Sequence, residues 1–135
     1  MAESNNLKQW IATIQDYIEW NIETVERAQK MKERGYDIFA HDTRISINSI
    51  KLRIEDLKKI PTPNIKECKK IRKNLEDSMK YRIKGFEQEI KYFNDIPKKS
   101  LTGRLGSGSV AFNMSMSDSL LKEVAIDFTK LTYPN

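Results

Sequence analysis

Apolar residues recur every three or four positions along the first third of the chain. They are Leu7, Ile11, Ile14, Ile18, Ile22, Val25 and Ala28. This spacing places them on one face of a helix. Asn6 is a suitable N-cap, and Gly35 follows a basic turn, as glycine does at many helix ends. The pattern therefore predicts one long helix over about residues 6–34.

The next segment fits two different periods. Residues 45–54 alternate with period two and are rich in β-branched side chains, which is typical of a strand hairpin turning at Asn48–Ser49. A longer window has apolar residues spaced by three and four, which is typical of a helix that packs in a bundle. That set is Ala40, Thr43, Ile47, Ile50, Ile54 and Leu57. We favour a helix that ends near Ile60, with the hairpin as the alternative.

A third helix is the clearest element of the pattern. Its apolar positions are Cys68, Ile71, Leu75, Met79, Ile83, Phe86, Ile90 and Phe93. Thr62 and Pro63 have the chemistry of an N-cap and a first helical residue. Only a short proline-containing link separates this helix from the second one. The two therefore form a predicted antiparallel helical hairpin, because short links join neighbouring antiparallel helices.

After Pro97 the chain becomes rich in glycine and serine. Residues 98–117 are predicted to be a flexible linker or an extended segment, since such compositions rarely build regular elements. Residues 118–135 are predicted to be a C-terminal helix that packs on the bundle. The fold class is thus all-α, with residues 1–97 as a helical bundle. Because a two-helix hairpin has too little core alone, it must pack on the first helix, on a second copy of itself or on both, and we expect a homodimer to complete the bundle.

Charge modifies this picture in one segment. The chain has a net charge of +5, and residues 58–104 hold 14 basic and 6 acidic side chains. Lysines on one face of the third predicted helix are candidate ligands for an anion or nucleic acid, and they are Lys66, Lys70, Lys73, Lys80 and Lys84. A basic stripe can follow a phosphate backbone, but no nucleic-acid motif accompanies it. A basic helical binding protein, for nucleic acid or an acidic protein, is therefore one alternative function, and a structural oligomer without chemistry is another.

Other function classes find no support in the sequence. Cys68 is the single cysteine, so an intrachain disulfide is excluded. No apolar run approaches the roughly 18 residues of a membrane span, and no secretory signal pattern begins the chain. The stretch "GRLGSGS" lacks the spacing of a phosphate-binding loop. We expect a cytoplasmic protein with no membrane contact, no cofactor and no metal site.

His41 is the only histidine of the chain. If the bundle positions face the core, His41 faces solvent on the same side as Ile45, Ser49 and Leu52. Two apolar residues beside an exposed histidine indicate a docking surface. Asp42 is expected to accept a hydrogen bond from one imidazole nitrogen and leave the other nucleophilic.

The stretch "HDTRISINSIKLRIEDL" adds a resemblance to this chemistry. It resembles the phosphoacceptor box of sensor histidine kinases, whose pattern is H-[ED]-x-[RK]-[TN]-P-L-x-x-I. The matched residues are His41, Asp42, Arg44, Ile47 and Ile50, with Glu55 and Leu57 at the trailing positions. The resemblance covers about residues 36–94, the dimerisation and phosphotransfer hairpin of that family. It implies that His41 accepts a phosphoryl group, with Asp42 beside it.

The same resemblance implies a protein partner. Arg44, Ile45, Ser49 and Leu52 would contact a receiver-type protein that exchanges the phosphoryl group. Ile45 stands where the family has Thr or Asn, and Ser46 replaces the usual proline. Nothing after Pro97 resembles the ATP-binding domain. The expectation is thus a stand-alone phosphotransfer or docking module, which acts at most as a phosphotransfer intermediate and not as a kinase.

Overall fold

The computed structural model describes residues 2–93 and 101–133. Within these ranges the chain forms four helices: α1 (Ala2–Lys32), α2 (Tyr36–Lys59), α3 (Lys66–Tyr92) and α4 (Leu101–Thr132). No strand occurs in this part of the chain. Residues 45–54 are therefore helical, and the all-α prediction is confirmed.

Consecutive helices run antiparallel and close into a four-helix bundle. Arg27, near the end of α1, pairs with Asp42, near the start of α2. Lys70, near the start of α3, likewise pairs with Asp127, near the end of α4. Helix α4 also contacts α1, which closes the ring of four helices, and α3 and α4 share the most extensive contact. The predicted hairpin of α2 and α3 is confirmed as half of this bundle.

The turns between the first three helices are compact. Gly35 adopts φ +102°, a conformation that side-chain-bearing residues rarely adopt, and its carbonyl accepts a hydrogen bond from the N–H of Phe39. At the next turn the N–H of Ile65 donates to the carbonyl of Pro63 over 2.7 Å. Helix α3 consequently begins at Lys66. The predicted start at Thr62 and Pro63 is wrong, because both residues lie in the link before the helix.

The core follows the predicted apolar positions of the second and third helices, whereas Ile22 of the first helix is 45% exposed. All six bundle positions of α2 are buried: Ala40, Thr43, Ile47, Ile50, Ile54 and Leu57. Ile47, Ile50, Ile54 and Leu57 form one cluster with Trp10, Ile14 and Tyr17 of α1, and with Ile71, Leu75 and Met79 of α3. Fully burying one such aliphatic or aromatic side chain contributes about 1.5–3 kcal/mol. The hydrophobic periodicity of the second and third helices therefore accounts for most of the interior.

The predicted linker is a helix instead. Residues 101–117 form the first half of α4, and residues 98–100 lie outside the described part of the chain. Ser117 is buried against Ser78 of α3, and each serine hydroxyl lies 2.7 Å from the other's backbone carbonyl. A β-carbon on Gly85 would lie 2.8 Å from the sulfur of Met114. The small side chains of Ser78 and Ser117, and the lack of one at Gly85, allow α3 and α4 to approach closely at this point.

The fourth helix of the bundle belongs to the same chain. Helix α4 contributes Val124, Leu121 and Phe128 to the core cluster, the role expected of a second copy. A homodimer stays a prediction, although closing the core does not require one. None of the described helices combines the length and apolarity that crossing a membrane requires.

Candidate functional site

The outer face of α2 carries large apolar side chains in solvent. Ile38, Ile45 and Leu52 are 42%, 54% and 66% exposed. Seven residues make nearly two full turns, so the three side chains follow one line along the helix. His41 and Ser49 lie on the same side of α2. We call this set, Ile38, His41, Ile45, Ser49 and Leu52, the α2 strip.

Sequence reasoning identified every member of the α2 strip except Ile38. Ile38 precedes Ile45 by the same seven residues that separate Ile45 from Leu52. Extending the seven-residue spacing backwards would have found it. The strip therefore begins before the histidine and continues beyond it.

His41 is displayed on this face without an internal partner. Its side chain is exposed, one turn after Ile38 and one turn before Ile45. Within the described ranges no hydrogen bond or ion pair involves the imidazole. A histidine that stabilises a core is normally buried and hydrogen-bonded. His41 is thus available to whatever binds the α2 strip.

Asp42 does not orient the imidazole, in contrast to the prediction. Its carboxylate instead accepts hydrogen bonds from Arg27 of α1, with Nη2–Oδ1 at 2.6 Å and Nε 3.0 Å from both oxygens. This pairing raises the pKa of Arg27 above its ordinary value, through the hydrogen bond first and the charge of Asp42 second. Successive side chains on a helix point in different directions, so Asp42 turns towards α1 while His41 turns outward.

A second contact holds α2 to α1 farther along the helix. Arg53 donates to Asp16 over 3.0 Å, and its guanidinium lies 4.4 Å from the ring centroid of Trp20. The Tyr17 hydroxyl donates to the backbone carbonyl of Arg53 over 3.1 Å. Burial is the main cause of the raised pKa of Tyr17. Fixed at two levels, α2 presents its outer face on a rigid support.

The remaining predicted partner-binding residues lie at the edges of the strip. Arg44 is exposed on the side of α2 that faces α3, where it borders a shallow depression with Glu87. Ser49 is half-buried on the side that faces α1. A partner that covers the α2 strip would meet a cation on one edge and a hydroxyl on the other.

The predicted lysine stripe runs along the outer face of α3. Its five members are all exposed: Lys66, Lys70, Lys73, Lys80 and Lys84. Lys70 is paired with Asp127 and Lys80 with Glu76, both at 3.3 Å. The Nζ atom of Lys84 lies 5.7 Å from the ring centroid of Tyr81. Neighbouring acids therefore reduce the positive potential that the sequence indicated.

The Cys68 thiol is a second reactive group, and its surroundings lower its reactivity. Burial raises the pKa of the Cys68 thiol, which keeps it protonated and poorly nucleophilic. In the described part of the chain no group of three or more His, Cys, Asp or Glu side chains is arranged to hold a metal ion.

Comparison with other proteins adds no identification to this geometry. Neither protein families, nor curated proteins, nor solved structures yield a match to this chain.

Proposed function

We propose that this chain is a docking and phosphotransfer module of two-component type. Its α2 strip binds a receiver-type protein, and His41 exchanges a phosphoryl group with an aspartate of that partner. One observation carries the proposal. The exposed His41 imidazole lies between Ile38 and Ile45, in a row of exposed apolar side chains that continues to Leu52. The resemblance of residues 36–94 to the phosphoacceptor hairpin supports the same assignment.

The exposed apolar side chains explain why a protein would dock there. A chain in which 32% of residues are charged has many polar side chains for its surface, yet α2 exposes three large aliphatic ones in line. A partner that covers such a row stabilises the complex by about 25 cal/mol for each Å² of apolar surface removed from water. A central apolar row with polar edges is the usual composition of a protein interface. The α2 strip has that composition, with Arg44 at its rim.

On this chain's side, the transfer step requires only the His41 imidazole. A neutral imidazole nitrogen attacks the phosphorus of the partner's aspartyl phosphate. The nitrogen–phosphorus bond forms as the bond to the carboxylate oxygen breaks, and the carboxylate leaves with the electron pair. The ring keeps its proton on the other nitrogen. Because the attacking nitrogen already has a lone pair, the step does not need Asp42 as a base.

Phosphoryl labelling tests the chemistry. The protein is incubated with radiolabelled acetyl phosphate, whose acetate leaves in place of the aspartate. We expect an acid-labile, alkali-stable label on the wild type and none on His41→Gln, because a phosphorylated imidazole is hydrolysed by acid. An unlabelled wild type, or equal labelling of His41→Gln, contradicts the transfer step.

A second arm separates docking from chemistry. The double variant Ile45→Glu with Leu52→Glu retains His41 but replaces two apolar members of the α2 strip. Labelling from a phosphorylated receiver domain should fall at least about tenfold, which is 1.4 kcal/mol of docking energy. Labelling from acetyl phosphate should be unchanged, since that donor needs no docking surface. Equal loss with both donors would assign the effect to His41 instead of the strip.

The lysine face of α3 supports a second candidate function, binding of nucleic acid or an acidic protein. Lys66 and Lys73 are exposed on this face. Binding to a DNA duplex should weaken steeply with salt as counterions are released. The variant Lys66→Glu with Lys73→Glu should abolish it, and binding that is insensitive to salt or to this variant excludes the function.

A further inference from the structure

Two aromatic rings meet on the surface where α3 and α4 pack together. The rings of Tyr81 on α3 and Phe112 on α4 lie edge to face, with centroids 6.4 Å apart and planes at 80°. Phe112 is 60% exposed. The other four phenylalanines belong to the core cluster or pack against it, and they are Phe39, Phe86, Phe93 and Phe128. We call Tyr81 and Phe112 the aromatic pair, which shares no residue with the α2 strip.

The surface beside Phe112 is open. Gly108 lies one turn before Phe112 on α4 and Ser115 lies one turn after it, and both are exposed. A β-carbon on Gly108 would enter open space, with no contact within 4 Å. A flat group therefore has room to lie against the Phe112 ring from this side of α4.

Lysines flank the aromatic pair along α3. Lys73, two turns before Tyr81, and Lys84, one turn after it, are exposed on the same side of the helix. The Nζ atom of Lys84 lies 5.7 Å from the Tyr81 ring centroid. Neither lysine forms an ion pair within the described ranges, and Asp77 is the acid between them. This row keeps an excess of positive charge, as does the whole of α3, with nine basic and five acidic side chains.

An exposed ring between lysines matches the chemistry of single-stranded nucleic acid. Unpaired bases stack on aromatic side chains, while cations attract the phosphates that join them. A duplex keeps its bases inside its own stack, so the Phe112 ring would gain nothing from one. A purely apolar partner would cover the ring but leave the lysines without opposite charges. Only an unpaired strand uses both features.

We propose that the aromatic pair binds single-stranded nucleic acid. One base stacks on the exposed ring of Phe112, and Tyr81 holds that ring in place through the edge-to-face contact. The phosphates on either side of this base meet Lys84 and Lys73. The inference is independent of phosphotransfer at His41, and its electrostatic part rests on the second candidate function, the lysine face of α3.

Fluorescence anisotropy and NMR test the inference on the full chain. The probe is a fluorescein-labelled oligodeoxythymidine of twelve nucleotides, which forms no internal base pairs. Half-saturation is expected below about 100 μM at low salt, and the affinity should fall as salt is added. With the unlabelled strand, the Phe112 ring protons should move upfield, because a stacked base places them in its ring current.

Phe112→Leu is the informative variant, because it keeps an apolar side chain but removes the flat ring. The oligonucleotide should bind this variant about tenfold more weakly, whereas a DNA duplex of equal length should not distinguish it from the wild type. Ile126→Ala is the matched control and should bind like the wild type, since Ile126 is another exposed apolar residue of α4. Phe112 lies outside the core cluster, so Phe112→Leu should fold normally, which circular dichroism checks.

Lys84→Gln tests the phosphate contact separately. This variant keeps a long polar side chain but removes the charge. It should bind the oligonucleotide about threefold more weakly and with a shallower dependence on salt, because one counterion fewer is released. The upfield shift of the Phe112 ring protons at saturation should remain.

Two results would overturn the inference. One is equal affinity of Phe112→Leu and wild type for the oligonucleotide, which would leave the lysine face as a binding surface without base stacking. The other is binding of the duplex without binding of the single strand at about 1 mM protein, well above the expected dissociation constant. Conversely, single-strand binding that falls in Phe112→Leu, with no binding of the duplex, would uphold the aromatic pair and contradict the second candidate function for duplex DNA.

Discussion

Two regions of the molecule differ in the size of their side chains: the contact between α3 and α4, and the outer face of α2. Where α3 and α4 meet, the buried residues include Ser78, Gly85 and Ser117. On the outside of α2, Ile45 and Leu52 stand in solvent. Small and polar residues are thus inside, and large apolar ones are outside, against the usual distribution.

The side chains of the two regions contribute to different properties of the protein. Between α3 and α4 smallness permits close approach, and the serine hydroxyls satisfy backbone carbonyls that the contact buries. On α2 a large side chain in solvent contributes little to the folded chain, and under the proposed function it would contribute to a complex instead. Substitutions in the first region should change folding, and substitutions in the second should change binding.

The largest effect is expected at Ser117. Ser117→Leu places a bulky side chain where α4 packs directly on α3 and removes a hydroxyl that is 2.7 Å from the Ser78 carbonyl. Overpacking and the lost hydrogen bond should together lower the free energy of unfolding by about 3 kcal/mol. Urea denaturation measures it. Ser119→Leu, on the exposed side of the same helix, is the control and should change stability by less than about 0.5 kcal/mol. Equal losses would refute the close-contact account.

A smaller effect is expected at the charged edge of the same contact. Arg82 of α3 is buried, its Nη1 lies 3.1 Å from the Met114 sulfur, and its Nη2 donates to the largely exposed Asp118. Asp118→Asn keeps a hydrogen-bond acceptor but removes the opposite charge. Because solvent screens Asp118, we expect a loss of about 1 kcal/mol in thermal unfolding. The loss should shrink at high salt, and Glu26→Gln, an exposed carboxylate on α1, should show none.

On the α2 strip the expected effect on folding is slight. Leu52→Gln should alter the free energy of unfolding by less than about 0.5 kcal/mol, because its side chain is already 66% exposed. Leu57→Ala, five residues later and fully buried, should cost about 3 kcal/mol by comparison. Chemical denaturation of both variants distinguishes the two faces of one helix. A large loss for Leu52→Gln would mean that the strip packs within the chain and is not a docking face.

The smallest effect is expected at Gly85, where two contributions oppose each other. Alanine should gain about 1 kcal/mol of helix propensity over glycine. Its β-carbon would lie 2.8 Å from the Met114 sulfur and Cε, so that flexible side chain must move aside. The net change in the melting temperature of Gly85→Ala should therefore be close to zero. Gly85→Val, which adds two methyl groups to the same contact, should lower it clearly. A strong loss for alanine would indicate that Met114 has no room to move.

The sequence predicted the elements whose evidence is local. The spacing of Ile47, Ile50 and Ile54 placed one side of α2 in the core, and the same periodicity placed Ile45 and Leu52 outside. Gly35 was predicted to end the first helix, and its positive φ confirms that role. Each of these inferences needs only neighbours within one or two turns of the same helix.

Features that depend on distant residues were missed. Arg27 lies 15 positions before Asp42, and no local pattern links them, so the carboxylate was assigned to His41. Ser117 was interpreted as part of a linker because its partner, Ser78, lies on another helix. The unpaired indole of Trp10 likewise follows from tertiary packing, since only the fold buries its nitrogen.

A bundle whose fourth helix comes from the same chain can complete its core without a second copy. If no homodimer forms, its unfolding midpoint should not depend on protein concentration, because mass action affects only assemblies of separate chains. Dilution then leaves the α2 strip presented by a folded scaffold. A partner that docks there does not need to order a helix as it binds, so little conformational entropy is lost on association.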